Sequence, residues 1–219
     1  MTIGVWTTRV DEDGDRVTAD SGRQQPSVAH STMLSFAGCL GARDRSEVYL
    51  SAPITTGELF VAWRQSAAGS LDRDHPDYPE LHREHVMATN IARVAPLVGW
   101  LRDAFAGRLV IDPTVLADVP GWRQQDYHDF WCALIRRYVD TVVFADGWQY
   151  SHGCVAEFAT AVSVGARLLT ERLENLDLAR AVELVGAAVA RLESVGEDTS
   201  KLRGWLASAG LSLPGDEGQ

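Results

Sequence analysis

At 219 residues, 46% of them hydrophobic, the chain can bury one sizeable core, and its net charge of −10 argues against a nucleic-acid polymer or a membrane surface as partner, since both call for clustered Lys and Arg. Cys39, Cys132 and Cys154 are too far apart for a CxxC metal site or a disulfide framework. There is no signal-peptide pattern and no run of about 18 apolar residues, so the expectation is a cytoplasmic protein needing neither metal nor cofactor.

In chain order, residues 1–46 read as an N-terminal extension packed on the core. Ile3–Thr7 has the pattern of a short strand and Asp11–Gly14 that of an acidic hairpin turn. Asp11, Glu12, Asp13 and Asp15 lack the full calcium-loop spacing, and Ser27–Leu40 reads as a short helix. Val48–Ala52 is the first clear strand, followed by Pro53 and the polar turn Ile54, Thr55, Thr56, Gly57. A turn of this kind suits a small ligand gripped by backbone N–H groups and hydroxyls. It matches neither the dinucleotide fingerprint nor the P-loop.

Leu59–Ala67 has helical character. Residues 69–85 are charged and broken by prolines, and predict an exposed loop insertion, a lid or an oligomer contact. His75, His82 and His85 lie within it. Val86–Phe105 follows with helical spacing of Ile91, Val94, Ala95, Val98 and Leu101. Leu109–Ile111 is a short strand ending at Asp112-Pro113, and Asp118–Trp122 a loop. Gln124–Tyr138 is an amphipathic helix whose aromatic residues fit a core face better than a stacking surface. Thr141–Ala145 is a strand, Arg167–Leu169 another, and Leu178–Leu192 and Ser200–Ala209 are helices. Strands alternating with helices over residues 47–195 predict an α/β fold: a doubly wound parallel sheet in a flavodoxin-like, Rossmann-like three-layer sandwich. Residues 196–219 supply a last helix and a tail.

The stretch with most chemistry is Gly147–Glu157, GWQYSHGCVAE, placed between the strand and a helix-like segment, Phe158–Leu169. A helix N-terminus offers free N–H groups and a partial positive charge, and anions settle there. Ser151, His152 and Gly153 are placed to form that turn, with Glu157 beside it.

Two motifs, Tyr49-Leu-Ser-Ala-Pro-Ile-Thr-Thr-Gly57 and Asp140 through Glu157, together resemble the nucleoside 2-deoxyribosyltransferase-like superfamily, whose members carry a similar GWxxSxGxxxE turn. The resemblance spans roughly residues 47–170. It implies cleavage of an N-glycosidic bond, by hydrolysis of a nucleoside 5′-monophosphate or related nucleotide, by deoxyribosyl transfer, or else simple nucleotide binding by a sensor. It further implies a homodimer or larger homo-oligomer with sites near subunit contacts. By position, Glu157 would be the carboxylate at the anomeric carbon and Tyr49 its orienting partner. Ser151, where the transferases tend to carry Asp, would face a phosphate. Gly153, His152, Ile54, Thr55, Thr56, Gly57, Asp112 and Trp148 would line the substrate. The chain departs from the family pattern at Cys132, where an Asp is usual. Asp126 and Asp129 are the nearest replacements, and with His128 and His152 they are the candidate proton donors to a departing base.

Overall fold

The computed structural model describes residues 45–66, 71–116, 119 and 121–213, with the backbone of two short strands, β1 (Arg9–Val10) and β2 (Arg16–Val17). These two pair antiparallel, with residues 11–15 between them. The strand expected at Ile3–Thr7, the turn and acidic cluster at 11–15, the helix at Ser27–Leu40 with Cys39, Asp118, and the tail from Pro214 lie outside the described residues.

The core is a four-stranded parallel sheet made of β3 (Glu47–Ser51), β4 (Val110–Ile111), β5 (Val139–Phe144) and β6 (Arg167–Thr170), in the spatial order β4-β3-β5-β6. The register sets Tyr49 beside Val142 and Ile111, and Ser51 beside Phe144. Counting the sheet strands along the chain, the order is 2-1-3-4, the start of the flavodoxin-like winding. The direction of winding reverses between β3 and β5, and the crevice beyond their carboxyl ends is where open α/β sheets bind ligands.

Helices cover both faces, so the central strands are apolar and buried over residues 48–50 and 142–144. The helices are α1 (Glu58–Arg64), α2 (Tyr78–His82), α3 (Ala88–Ala104), α4 (Gln124–Tyr138), α5 (His152–Ser163), α6 (Leu178–Glu193) and α7 (Ser200–Ser208). Successive strand residues point to opposite faces. Val48, Leu50 and Val143 pack against Val94, Val98 and Leu101 of α3. Tyr49, Val142 and Phe144 pack on the other side with Ile135 of α4 and Val155 and Phe158 of α5. Leu202 and Leu206 of α7 belong to this second core, so the carboxyl-terminal segment is packed into the sandwich through Leu213.

Two differences from the sequence reading bear on the site. The 69–85 insertion is not loop throughout. A helix starts at Tyr78, with Pro79 in its first turn, where a missing N–H costs nothing. It runs through a π-helical turn, Arg83–Met87, into α3. Phe60, Trp63 and Val86 form a small third core there, with Tyr78 and Leu81 against it. The other shift is at α5, which starts at His152, so His152 and Gly153 are its first residues and Ser151 is the N-cap. Among the described residues no helix is long and apolar enough to cross a membrane.

Candidate functional site

At the switch point the chain after β3 and the chain after β5 diverge around a small cavity of about 80 Å³. Its volume equals roughly two or three water molecules, so it accommodates the reacting end of a ligand and leaves the rest outside. Glu157 forms part of its wall together with Ser151, Gly153, Ile54 and Thr55. These five residues, expected from the sequence to share a site, are brought together from β3's following loop and from the start of α5.

Glu157 sits in the second turn of α5 and is only 7% exposed. Tyr49 Oη donates to its Oε1 at 2.6 Å, and Ser51 Oγ donates to its Oε2 at 2.6 Å. Tyr49 and Ser51 are alternate residues of β3, so both face α5. Burial pushes the Glu157 carboxyl up to about 7, against the two hydroxyl hydrogen bonds, which favour the ionised form. Burial and the adjacent carboxylate raise the Tyr49 phenol well above its usual value, so it stays a donor. Cys154, also on the wall, is raised by burial and by Glu157.

The polar turn after β3 is held from outside the cavity. Asn90 Nδ2 donates to the carbonyls of Ile54 at 3.0 Å and Thr56 at 2.8 Å. His82, from the insertion, bonds through Nε2 to the Thr55 carbonyl at 2.7 Å. His82 therefore positions the loop, while no cluster of three or more potential metal-binding side chains occurs among the described residues. Gly57 has φ +99°, and a Cβ there would stand 2.8 Å from Pro53 Cβ. Only glycine fits that turn. Gly57 and Thr56 thus shape the loop and do not line the cavity. Opposite, Ser151 Oγ accepts from the Cys154 N–H at 3.4 Å, a long bond that leaves the hydroxyl available to the cavity.

Several expected site residues lie elsewhere. Trp148 is buried in the core with ring centroids 4.8 Å from Phe144 and 5.0 Å from Phe158; it anchors the turn and does not reach a ligand. Asp126 is spent on capping α4, accepting from the Arg123 N–H at 2.7 Å. Asp129 is exposed and accepts from Gln125 Nε2. Asp112 accepts from the N–H and hydroxyl of Thr114, and its neighbour Pro113 lines the cavity instead. His152 lies near the Asp198 backbone and off the cavity wall. Asp140, within the second motif, pairs with Arg108 at the far end of β5.

In place of the two aspartates, α4 contributes Gln124, Tyr127, His128 and Trp131 to the cavity wall. His128 is buried at 8% exposure, and its Nε2 lies 3.3 Å from Gln124 Nε2 and 3.3 Å from where a Cβ on Gly153 would be. Burial, with the nearby His152 and Lys201, lowers its proton affinity, so the ring is neutral near pH 7. Its helical phase is the signal that marks it: His128, Trp131 and Ile135 follow an i, i+3, i+7 row on the sheet-facing side. Ser51 was legible in the same way, two residues from Tyr49 on the same strand face.

Comparison of the chain with models of protein families, with curated proteins and with solved structures found no match.

Proposed function

We propose that this pocket cleaves the N-glycosidic bond of a nucleoside 5′-monophosphate or a related nucleotide, with Glu157 as the group at the anomeric carbon. The observation that carries the reading is the Glu157 carboxylate itself, buried and with each oxygen held by one hydroxyl. Among the described residues it accepts from no backbone N–H and pairs with no cation. Such a group is costly to bury, and the negative charge it carries above about pH 7 suits a transition state with positive charge on C1′ and the ring oxygen.

In this reading the C1′–N bond breaks and its electron pair leaves with the base, which takes a proton. The oxygen of water then joins C1′, directly or after a glycosyl ester on Glu157 is hydrolysed. The proton on the base comes from solvent at the cavity mouth, and His128, neutral on the cavity wall, is placed to accept the proton that the attacking water loses. Ser151 and the free N–H groups opening α5, a twelve-residue helix, form the place for the phosphate. The cavity takes the C1′ end of the sugar, and base and remaining groups extend past its mouth, where a second copy of the chain would complete the walls. The resemblance of the Tyr49–Gly57 and Asp140–Glu157 motifs to the nucleoside 2-deoxyribosyltransferase-like superfamily supports the reaction class.

The test is chromatography of a nucleotide panel incubated with the chain, with and without an acceptor base. Free base without an acceptor means hydrolysis. Product only with an acceptor means deoxyribosyl transfer. Binding of nucleotides without turnover of any of them refutes catalysis and leaves a nucleotide sensor.

A further inference from the structure

On the opposite face of the sheet, at the same carboxyl-terminal edge, lies a much larger cavity of about 690 Å³. Three strands deliver its floor: Pro53 follows β3, Ala145 and Asp146 follow β5, and Glu171 and Arg172 follow β6. Its wall is one face of α3, through Asn90, Arg93, Val94, Leu97 and Trp100. Position and volume both suit a ligand, since open α/β sheets bind beyond their strand ends and small-molecule pockets run to about 300–1,000 Å³.

The two guanidiniums facing this space are uncommitted. Arg93 and Arg172 make no hydrogen bond or ion pair among the described residues. Trp100 is 45% exposed, one of few large apolar side chains left so open. Glu171 Oε2 accepts from the Asp146 N–H at 2.9 Å, which ties the β5 and β6 loops together and leaves the Asp146 carboxylate and Glu171 Oε1 facing out. Two guanidiniums are thus balanced by two carboxylates. A bare anion would meet repulsion as well as attraction. A ligand with an anionic group at one end and N–H donors at the other would satisfy both pairs, with its flat body against the indole.

We propose that this cavity is a second ligand site, for a planar ring that bears both an anionic group and N–H donors. Arg93 and Arg172 take the anion, Asp146 and Glu171 the donors, and Trp100 the ring face. That chemistry belongs to nucleotides and to amino-substituted aromatic acids alike. The site is independent of what Glu157 does, although Asn90, which lines this cavity, also holds the Ile54 and Thr56 carbonyls of the turn beside the other.

Isothermal titration of the full chain carrying Glu157→Gln, which prevents turnover, tests the assignment with three probes: AMP, 4-aminobenzoate and inorganic phosphate. A ring probe should bind with Kd below about 1 mM, and phosphate should bind at least about tenfold more weakly. Arg93→Gln with Arg172→Gln, and separately Trp100→Ala, should each weaken that binding component at least about tenfold, with circular dichroism unchanged because all three side chains are exposed. Ser151→Ala should leave it intact. Tighter binding of AMP identifies a nucleotide ligand, and tighter binding of 4-aminobenzoate an aromatic acid. No binding of either ring probe, or double-arginine isotherms that superimpose on the parent's, overturns the proposal. A component lost only with Ser151→Ala belongs to the Glu157 pocket and overturns it too.

Discussion

Replacing Glu157 by Gln should make the protein more stable at pH 8 and leave its stability nearly unchanged at pH 4. Burial lifts the folded-state carboxyl from an ordinary 4.5 to about 7. Each tenfold change in proton affinity is worth about 1.4 kcal/mol, so that displacement corresponds to about 3 kcal/mol. Between these two values the folded state holds a proton that the unfolded state has released, and stability falls as pH rises. The contribution is fully present below about 4.5 and lost once pH passes about 7. Glutamine carries no ionisation, and the Ser51 hydroxyl can rotate to accept from its amide, so the variant escapes the loss. Urea denaturation of both proteins at pH 4, 5, 6, 7 and 8 isolates the effect, because every other titrating group cancels in the difference. That difference should grow by about 3 kcal/mol in favour of Gln between pH 4 and pH 8, or roughly 6–12 °C in Tm for a chain of this size. The same substitution should slow nucleotide cleavage at least about 10²-fold. A stability difference that stays flat across this range would show that Glu157 ionises like an exposed carboxylate, and the argument from a costly buried charge would fail.

Tyr49→Phe and Ser51→Ala each remove a donor that favours ionised Glu157. Each should move the acidic midpoint of the pH–rate profile above about 7 with little change in KM, and an unmoved or lowered midpoint would contradict the assignment. Asn90→Ala strips the Ile54 and Thr56 carbonyls of their donor, at a cost of about 1–3 kcal/mol. Equilibrium denaturation measures it, and a loss below about 0.5 kcal/mol would mean that water replaces the amide freely. Gly57→Ala forces a side chain into φ +99° and within 2.8 Å of Pro53. Its melting curve should show a loss of about 1–3 kcal/mol, and no shift would mean that the turn relaxes without strain.

Much of the fold was legible because period is a physical signal. The apolar runs at Val48–Ala52 and Thr141–Ala145 could not be half-buried strands, and both prove to be covered on both faces. α4 matches its expected span, Gln124–Tyr138, because its apolar face is continuous and its start is a capping site. The helix from Tyr78 was hidden by His75, Pro76, Pro79 and a high charge density. Its stability comes from tertiary contacts of Tyr78 and His82 with Trp63, which no local pattern reports. The site divides along the same line. Residues adjacent in the chain to the strand ends, such as Thr55 and Ser151, were found from position alone. Of the candidate proton donors named on α4, Asp126 and Asp129 lie off the cavity wall, while His128 is on it. Asp126 stands three residues after Arg123 at the head of an amphipathic helix, where a carboxylate caps the helix; that reading was available and outranks a catalytic one.

Burial of a carboxylate does not by itself mark a site, and Glu47 shows why. It opens β3, is 1% exposed, and accepts from the Leu109 N–H at 2.7 Å. Its job is to satisfy a backbone donor where β4 joins the sheet, and removing it would leave that donor unpaired. Glu157 is as buried as a structural group, yet its partners are two hydroxyls that could as well serve one another or a water. Among the described residues no backbone donor depends on it. The two carboxylates also lie toward opposite ends of β3: Glu47 starts the strand, and Glu157 is held by Ser51, where the strand ends and the winding reverses. A charge that is costly to keep, held by the Tyr49 and Ser51 hydroxyls and placed where open α/β sheets admit ligands, is the ground on which we propose that Glu157 serves a ligand rather than the fold.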